Sequence, residues 1–479
     1  VAFALNFFLC VFVQDATVTH IPALPTAVFK AYDIRGTVPE QLNPDFAYQL
    51  GLALAALARE QSVQTLVVGY DGRHSSPALS RALQQGIQAG GINTVDLGMV
   101  PTPVVYFAAN VLETGSGVAI TGSHNPSNYN GFKMMMAGKT LHGQDIQGLM
   151  KRMQAGIEPA AQAGTGEKKD LLDQYVSTIA ERVKLARPMK IALDCGNGVG
   201  GVVAARLFKA LGCEVDMLFE DVDGSFPNHH PDPAEPHNLQ DLIAHVQNTD
   251  CEVGLAFDGD ADRLGVVTRS GQIIWPDRQL ILYARDILQR EPGSTIIFDV
   301  KCSRHVALEI AKAGGEPLMW QTGHSLIKAK LAETGAPLAG EMSGHVFFKE
   351  GWYGFDDGLY TGARLLAILS RGDNPTAELE ALPQDLSTPE LKLPLAEGEP
   401  HALIARLQKE GRFPSSNQLN TIDGVRAEYP DGFGLARASN TTPVIVLRFE
   451  AQSQEALERI QGEFRAALLA LKPDAALPF

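Results

Sequence analysis

The chain has 479 residues, 45% of them hydrophobic and 20% charged, an ordinary globular composition that excludes a disordered or collagen-like chain. Its 40 Lys and Arg against 55 Asp and Glu leave a net charge of −15, which disfavours nucleic acid or an anionic membrane as partner, since both attract a basic face. A small anionic substrate stays compatible, because a local basic pocket can sit in an acidic protein.

Residues 1–13 are apolar apart from Asn6, but no Lys or Arg precedes Lys30, so the basic start of a signal peptide is missing. The run is also shorter than the ~20 residues of a membrane span. The expectation is a dispensable extension over residues 1–26, ahead of a cytoplasmic protein. Cys10, Cys195, Cys213, Cys251 and Cys302 are odd in number and widely spaced. That spacing suits buried reduced thiols better than a disulfide framework or a zinc site.

Three segments share one layout: an apolar run, an Asp in a turn, then an amphipathic helix. They are Leu66-Val67-Val68-Gly69-Tyr70-Asp71 with a helix opened by Ser76-Pro77, Lys190-Ile191-Ala192-Leu193-Asp194 with a helix over 202–211, and Thr295-Ile296-Ile297-Phe298-Asp299 with a helix from Ser303 through Lys312. Strand–helix alternation implies mixed or parallel sheets covered by helices. The expected fold is three related α/β domains with mixed sheets, followed by a C-terminal α+β unit. Boundaries are expected in 154–169, rich in Ala, Gly and Glu, and in 372–400, rich in Pro and acidic residues. In the tail, Leu457, Ile460, Phe464 and Leu468 recur at helical spacing and predict a core-facing terminal helix.

In chain order, the first loop with chemistry is Thr121-Gly122-Ser123-His124-Asn125-Pro126, a hydroxyl beside an imidazole after a strand. It does not fit the G-x-S-x-G elbow, since position 121 is Thr. A serine that carries a phosphoryl group is the other option, with Lys133 as a nearby ammonium for phosphate or proton transfer. Gly138-Lys139-Thr140 resembles the end of a phosphate-binding loop, but position 133 is Lys where that loop needs Gly. Gly196, Gly198 and Gly201, with Asp216 beyond them, do match a dinucleotide fingerprint, a weak signal alone.

Asp258-Gly259-Asp260-Ala261-Asp262-Arg263 follows the apolar strand 253–256. Three carboxylates at alternate positions converge in an extended loop, and they repel unless a cation neutralises them; hard oxygen ligands suit Mg²⁺. An EF-hand fails, since Arg263 and Arg269 stand where Gly and Glu are needed. Gly340-Glu341-Met342-Ser343-Gly344-His345 offers acceptor and donor groups for sugar hydroxyls. Arg437-Ala438-Ser439-Asn440-Thr441-Thr442-Pro443 combines a guanidinium with hydroxyl and amide donors, which is phosphate-binding chemistry.

These four loops, in this order, resemble the α-D-phosphohexomutase superfamily, and Lys30-Ala31-Tyr32-Asp33-Ile34-Arg35-Gly36 fits its opening motif. The resemblance runs from about Phe29 to Phe479, and the Gly340–His345 loop looks most like the bacterial phosphomannomutase/phosphoglucomutase subgroup. It implies four domains around a central cleft: a phosphoserine domain over 27–170, a metal-binding domain over 171–272, a sugar-binding domain over 273–384 and a phosphate-binding domain over 385–479. It implies an isomerase that interconverts hexose 1- and 6-phosphates of glucose and mannose through a 1,6-bisphosphate, feeding nucleotide-sugar and polysaccharide synthesis. Ser123 is then the phosphoserine, and one Mg²⁺ is held by Asp258, Asp260, Asp262 and a phosphoserine oxygen. Arg263 helps hold charge, and His124, Lys133 and His345 are candidates for proton transfer. Glu341 and Ser343 grip the sugar, and Arg437, Ser439, Asn440 and Thr441 the distal phosphate. Tyr32, Arg35, Lys301 and His324 are further cleft residues. Glucose 1,6-bisphosphate is the expected activator and a monomer the expected state. Two rivals remain open at this level: a phosphoglucosamine mutase, which usually has Gln at the position of Met342, and an NAD-dependent oxidoreductase resting on the three glycines.

Overall fold

The structure, a computed structural model, describes residues 24–440 and 442–479. Most of the stretch expected to be dispensable, residues 1–23, lies outside the described residues, as does Thr441.

The three apolar runs each form the central strand of a sheet, and the three sheets repeat one order. Thr65–Tyr70 lies between Asn93–Met99 and Gly117–Ile120, all parallel, and Tyr129–Met136 returns antiparallel beside the last. Lys190–Asp194 lies between Glu214–Leu218 and Val253–Phe257, with Leu264–Thr268 returning antiparallel. Thr295–Asp299 lies between Glu316–Trp320 and Leu338–Gly340, with Val346–Phe348 returning antiparallel. Helices carry the crossovers between parallel neighbours, as such connections require. The hairpin from third to fourth strand therefore falls at the same place in each sheet. In the three sheets it contains Ser123, the Asp258–Arg263 run and the Glu341–His345 run. Each opens where parallel strands end at their carboxyl edge, the position at which α/β sheets bind ligands.

The fourth sheet is antiparallel. Val444–Ala451 pairs Gly432–Ala438 on one side and Leu391–Pro394 and Leu386–Ser387 on the other. The terminal helix Gln454–Leu471 buries Leu457, Ile460, Phe464 and Leu468 against it, as their spacing predicted. The expected α/β architecture with an α+β end is the one observed.

Local details differ from expectation. The helix Ser76–Ala89 starts one residue earlier than a Ser76 cap would set, and Ser76 Oγ instead donates to Asp71 Oδ1 at 2.6 Å. The helix expected over 202–211 begins as a 3₁₀ turn, Val199–Val202, before Ala204–Ala210. Within the Pro-rich stretch, Pro375–Glu380 is helical and tied to the second sheet, with Thr268 Oγ1 donating to Glu380 Oε1 at 2.8 Å.

One apolar body joins the first three sheets: Phe107, Leu255 and Phe298 belong to the same core. The helix Gly358–Leu369, apolar nearly all round, is buried within it. The fourth sheet keeps its own core around Leu393, Phe449 and Phe464. It docks on the third through an apolar cluster of Val300 with Phe433 and Leu435 and through polar groups: Arg426 Nη1 donates to Val300 and Cys302 carbonyls at 2.6 and 2.7 Å, and Ser303 Oγ to Glu450 at 2.7 Å. The four described cysteines are buried and free. Among the described residues, no helix is long and apolar enough to cross a membrane.

Candidate active site

Ser123 opens the first hairpin with φ +48°, a left-handed backbone that a β-carbon disfavours. The surrounding chain holds it there. Arg73, 1% exposed, donates to the carbonyls of Ser123, Asn125, Pro126 and Tyr129 at 2.6 to 3.0 Å and pairs with Asp71. Asp71 in turn accepts from Gly122 N at 3.1 Å. Gly122 has to be glycine: a β-carbon there would lie 2.5 Å from the Arg73 guanidinium. Asp299 plays the corresponding part in the third sheet, accepting from Met342 N at 3.2 Å.

A buried guanidinium with this many fixed partners has no substitute in water. Arg73→Met is expected to cost about 3–5 kcal/mol of stability, the range for breaking one partner from a buried ion pair. Chemical denaturation measures it, and a loss below ~1 kcal/mol would mean that the loop is held by other contacts.

The second hairpin faces Ser123 directly. Ser123 Oγ donates to Asp258 Oδ2 at 3.0 Å, and a β-carbon on Gly259 would lie 2.4 Å from the Ser123 carbonyl oxygen. Asp258 Oδ1 accepts from Asp262 N and Arg263 N at 3.1 and 3.2 Å, so the loop winds around its own first carboxylate. Asp258, Asp260 and Asp262 are fully buried, with one oxygen of each within 4.8 Å of the others. Burial and the two neighbouring carboxylates push the Asp258 carboxyl well above its usual range. Asp260 Oδ1 and Asp262 Oδ1 are buried without a hydrogen-bond partner among the described residues. Orphaned carboxylate oxygens in a buried all-oxygen set fit a hard divalent cation. Thr102 Oγ1 donates to Asp260 Oδ2 at 2.6 Å, and Lys133 Nζ bonds that same oxygen at 2.7 Å and Asp262 Oδ2. Burial alone would lower the Lys133 pKa, but these carboxylates hold it well above the usual value.

Arg263 links the two candidate imidazoles. Its Nη2 donates to His124 Nδ1 at 2.6 Å and its Nε to His345 Nε2 at 3.1 Å. His124 Nδ1 also lies 3.2 Å from Ser123 Oγ. Burial and the Arg263 charge keep His124 well below the ordinary histidine range, so it is neutral near pH 7. His345 Nδ1 stands 3.2 Å from Asp356 Oδ2, and Lys328 holds the other oxygen of Asp356 at 2.8 Å. The His324 ring lies 5.6 Å from that of His345.

Ser123, His124, Lys133, Arg263, His324 and His345 open on one cleft of about 880 Å³, lined from all four sheets. Tyr32, Arg35, Ser123, His124, Lys133, Arg263, Lys301, His324, Glu341, Ser343, His345, Arg437, Ser439 and Asn440, all singled out in the sequence, line it. The three carboxylates lie just behind Ser123. Glu341, its carboxyl pushed up by burial, accepts from Gly323 N at 2.5 Å. At the far end Arg437 is 4% exposed, its Nε on Asp423 Oδ2 at 3.0 Å and its Nη2 without a partner among the described residues. The first and fourth sheets meet across the cleft where Asn440 Nδ2 donates to Tyr32 OH, which donates to the Thr322 carbonyl at 2.6 Å. Arg35 Nη1 holds Asn125 Oδ1 at 2.6 Å.

Arg73, Lys328, Asp356, Asp423 and Glu390 escape sequence reasoning; only the Asp71-Gly72-Arg73 turn carried a hint. The dinucleotide fingerprint is corrected by packing. Gly201 faces a Glu220 carbonyl that a β-carbon would meet at 1.9 Å, and Gly198 abuts Gly259. Asp216 accepts from His245 and Cys251. These glycines let the turn pack on the carboxylate loop.

Four family models match the chain in order: α/β/α domains I, II and III of phosphoglucomutase/phosphomannomutase over 26–159, 173–271 and 275–386, and its C-terminal domain over 390–467. A phosphoglucomutase of Neisseria meningitidis serogroup A is 56% identical over 443 residues, covering 92% of this chain and 96% of that protein. A phosphomannomutase/phosphoglucomutase of Pseudomonas aeruginosa is 52% identical over 459 residues, covering 96% and 99%. The crystal structure of a phosphoglucomutase/phosphomannomutase family protein from Burkholderia thailandensis superposes with TM-score 0.91 at 56% identity, over 95% of this chain and 100% of that one.

Proposed function

The chain belongs to the phosphoglucomutase/phosphomannomutase family, and from that membership we propose how its cleft interconverts hexose 1-phosphates and hexose 6-phosphates of glucose and mannose. The enzyme is an isomerase that works by phosphoryl transfer. The observation that carries the reading is the pair of unlike cleft ends: Ser123 over three carboxylates at one, and at the other the buried Arg437, whose Nη2 has no hydrogen-bond partner among the described residues. A substrate that binds in two mirrored poses needs that layout.

Phosphoserine 123 gives its phosphoryl group to the free hydroxyl of the bound monophosphate. The bond from phosphorus to serine oxygen breaks, a bond to the sugar oxygen forms, and the hydroxyl proton passes to a neighbouring base. The bisphosphate turns and returns its other phosphoryl group to Ser123. His124 and His345, joined by Arg263, are the imidazoles nearest this event; Lys133 supplies positive charge. Glu341 and Ser343 hold sugar hydroxyls away from C2, which lets glucose and mannose share the site. Tyr32, Arg35, Lys301 and His324 shape the cleft, and Arg437, Ser439, Asn440 and Thr441 hold the distal phosphate. The division of labour follows 27–170, 171–272, 273–384 and 385–479.

One Mg²⁺ is assigned to Asp258, Asp260, Asp262 and the phosphoserine oxygen; bound there, it neutralises charge on the transferring group. Glucose 1,6-bisphosphate acts as activator by recharging a serine that has lost its phosphate. A monomer is the proposed state, and the buried free thiols of the described residues suit the cytoplasm. Steady-state turnover on glucose 1-phosphate and mannose 1-phosphate tests the reading; activity on neither would overturn it.

Arg437 separates grip from chemistry. A guanidinium fork orients a phosphate as Lys cannot. Arg437→Ala is expected to raise KM on both sugars by ~10-fold or more, as loss of a hydrogen bond to a charged group does, and to release more free bisphosphate per turnover. An unchanged KM on both would remove Arg437 from the phosphate site, and a loss confined to one sugar would put it at the ring.

A further inference from the structure

Two of the cations that line the cleft, Arg437 and Lys301, are held differently. Asp423 lies behind Arg437, where it also accepts from Thr322 N at 3.0 Å, so it orients the guanidinium, whose buried Nη2 has no hydrogen-bond partner among the described residues. Lys301 Nζ instead bonds Glu390 Oε1 at 2.6 Å, and Glu390 itself lines the cleft. A carboxylate there repels an incoming phosphate unless it withdraws.

The backbone around Glu390 is fixed. Thr388 N donates to the Phe449 carbonyl at 2.9 Å, Phe449 N to Thr388 Oγ1 at 3.1 Å, and Pro389 stiffens the turn between them and Glu390. The pair therefore bridges the third and fourth sheets. Its members differ in access to water: the Lys301 side chain is 7% exposed and that of Glu390 is 32% exposed. Glu390 can let go into solvent at little cost. Lys301 cannot, because an unpaired cation in a nearly sealed site is strongly unfavourable. Each also keeps the other charged. Against burial, Glu390 and Asp299 hold Lys301 above the usual lysine value, and Lys301 holds Glu390 below the usual carboxylate value.

We propose that Glu390 is an exchange partner for the substrate phosphate: it neutralises Lys301 whenever no phosphate does, yields to the phosphate on binding, and retakes Lys301 as the bisphosphate turns or the product leaves. The proposal rests on the mutase reading above. Glu390 touches no reacting atom; it is a positioning residue that keeps the intermediate from being held too firmly.

Glu390→Gln tests it. Without the competing charge, inorganic phosphate should bind the variant roughly fivefold more tightly by calorimetry, the factor that about 1 kcal/mol of ion pair imposes. KM and kcat should both fall on both sugars, with less free bisphosphate escaping per turnover. Glu390→Asp, which keeps the charge on a shorter reach, should show the same shifts at smaller size, and it serves if the Gln variant does not fold. A folded variant with unchanged or weaker phosphate affinity would overturn the proposal while wild-type turnover stands. A wild type with no turnover on either sugar would instead overturn the mutase reading.

Discussion

Ser123→Ala is expected to lower mutase turnover by at least ~10²-fold, because it removes the one oxygen that carries phosphate between the two poses. Among the described residues the hydroxyl meets Asp258 at 3.0 Å and His124 at 3.2 Å and nothing else, so folding has little stake in it. Alanine adopts the left-handed backbone no better than serine, and Arg73 keeps its grip on the loop carbonyls either way. Melting temperature should therefore stay near that of the wild type, and calorimetry should still detect binding of hexose phosphate. Retention of most of the turnover would mean that phosphate passes directly between substrate molecules or through another side chain.

The second large effect is expected at the carboxylates. Asp260→Asn should weaken Mg²⁺ and slow transfer by ~10²-fold or more, since neutralising the transferring group is worth several kcal/mol. The substitution keeps the size of the side chain, and the amide still accepts from Thr102 through its oxygen. It gives up half of the negative charge that faces Lys133, and it puts an amide NH₂ where an oxygen was buried without a partner among the described residues. Titration of Mg²⁺ by calorimetry and turnover against Mg²⁺ concentration should move together. Wild-type turnover that survives exhaustive chelation would remove the metal from the reaction.

Much of this was legible in the chain because polar loops follow buried strands. Val253-Gly254-Leu255-Ala256 reads as a strand, so Asp258, Asp260 and Asp262 read as a loop at its end, and the structure brings their oxygens together. The equivalence of the three hairpins was not legible. It depends on the fourth strand of each sheet running antiparallel, and Val346–Phe348 is too short to show an alternation pattern. Arg73 was missed for a different reason. A lone arginine after a turn carries no spacing signature, and its carbonyl partners lie 50 to 56 residues away. Asp356, next to Asp357, and Glu390 lie in Gly- and Pro-containing stretches without a spacing signature, and their partners, Lys328 and Lys301, lie 28 and 89 residues away. Burial tells Asp356 from a solvated acid, and only its ion pair with Lys301 tells Glu390 from one. The Gly196 fingerprint misled because a tight strand-to-helix turn needs small residues for packing as much as for a pyrophosphate.

Mass spectrometry of the purified protein tests the phosphoserine assignment most directly. The protein is incubated with glucose 1,6-bisphosphate, freed of small molecules, and measured intact and after digestion. One phosphoryl group per chain is expected, on the peptide that contains Ser123. Adding hexose monophosphate should discharge it and yield bisphosphate in equal amount. A chain that gains no phosphoryl group, or gains it on a residue other than Ser123, would contradict the account.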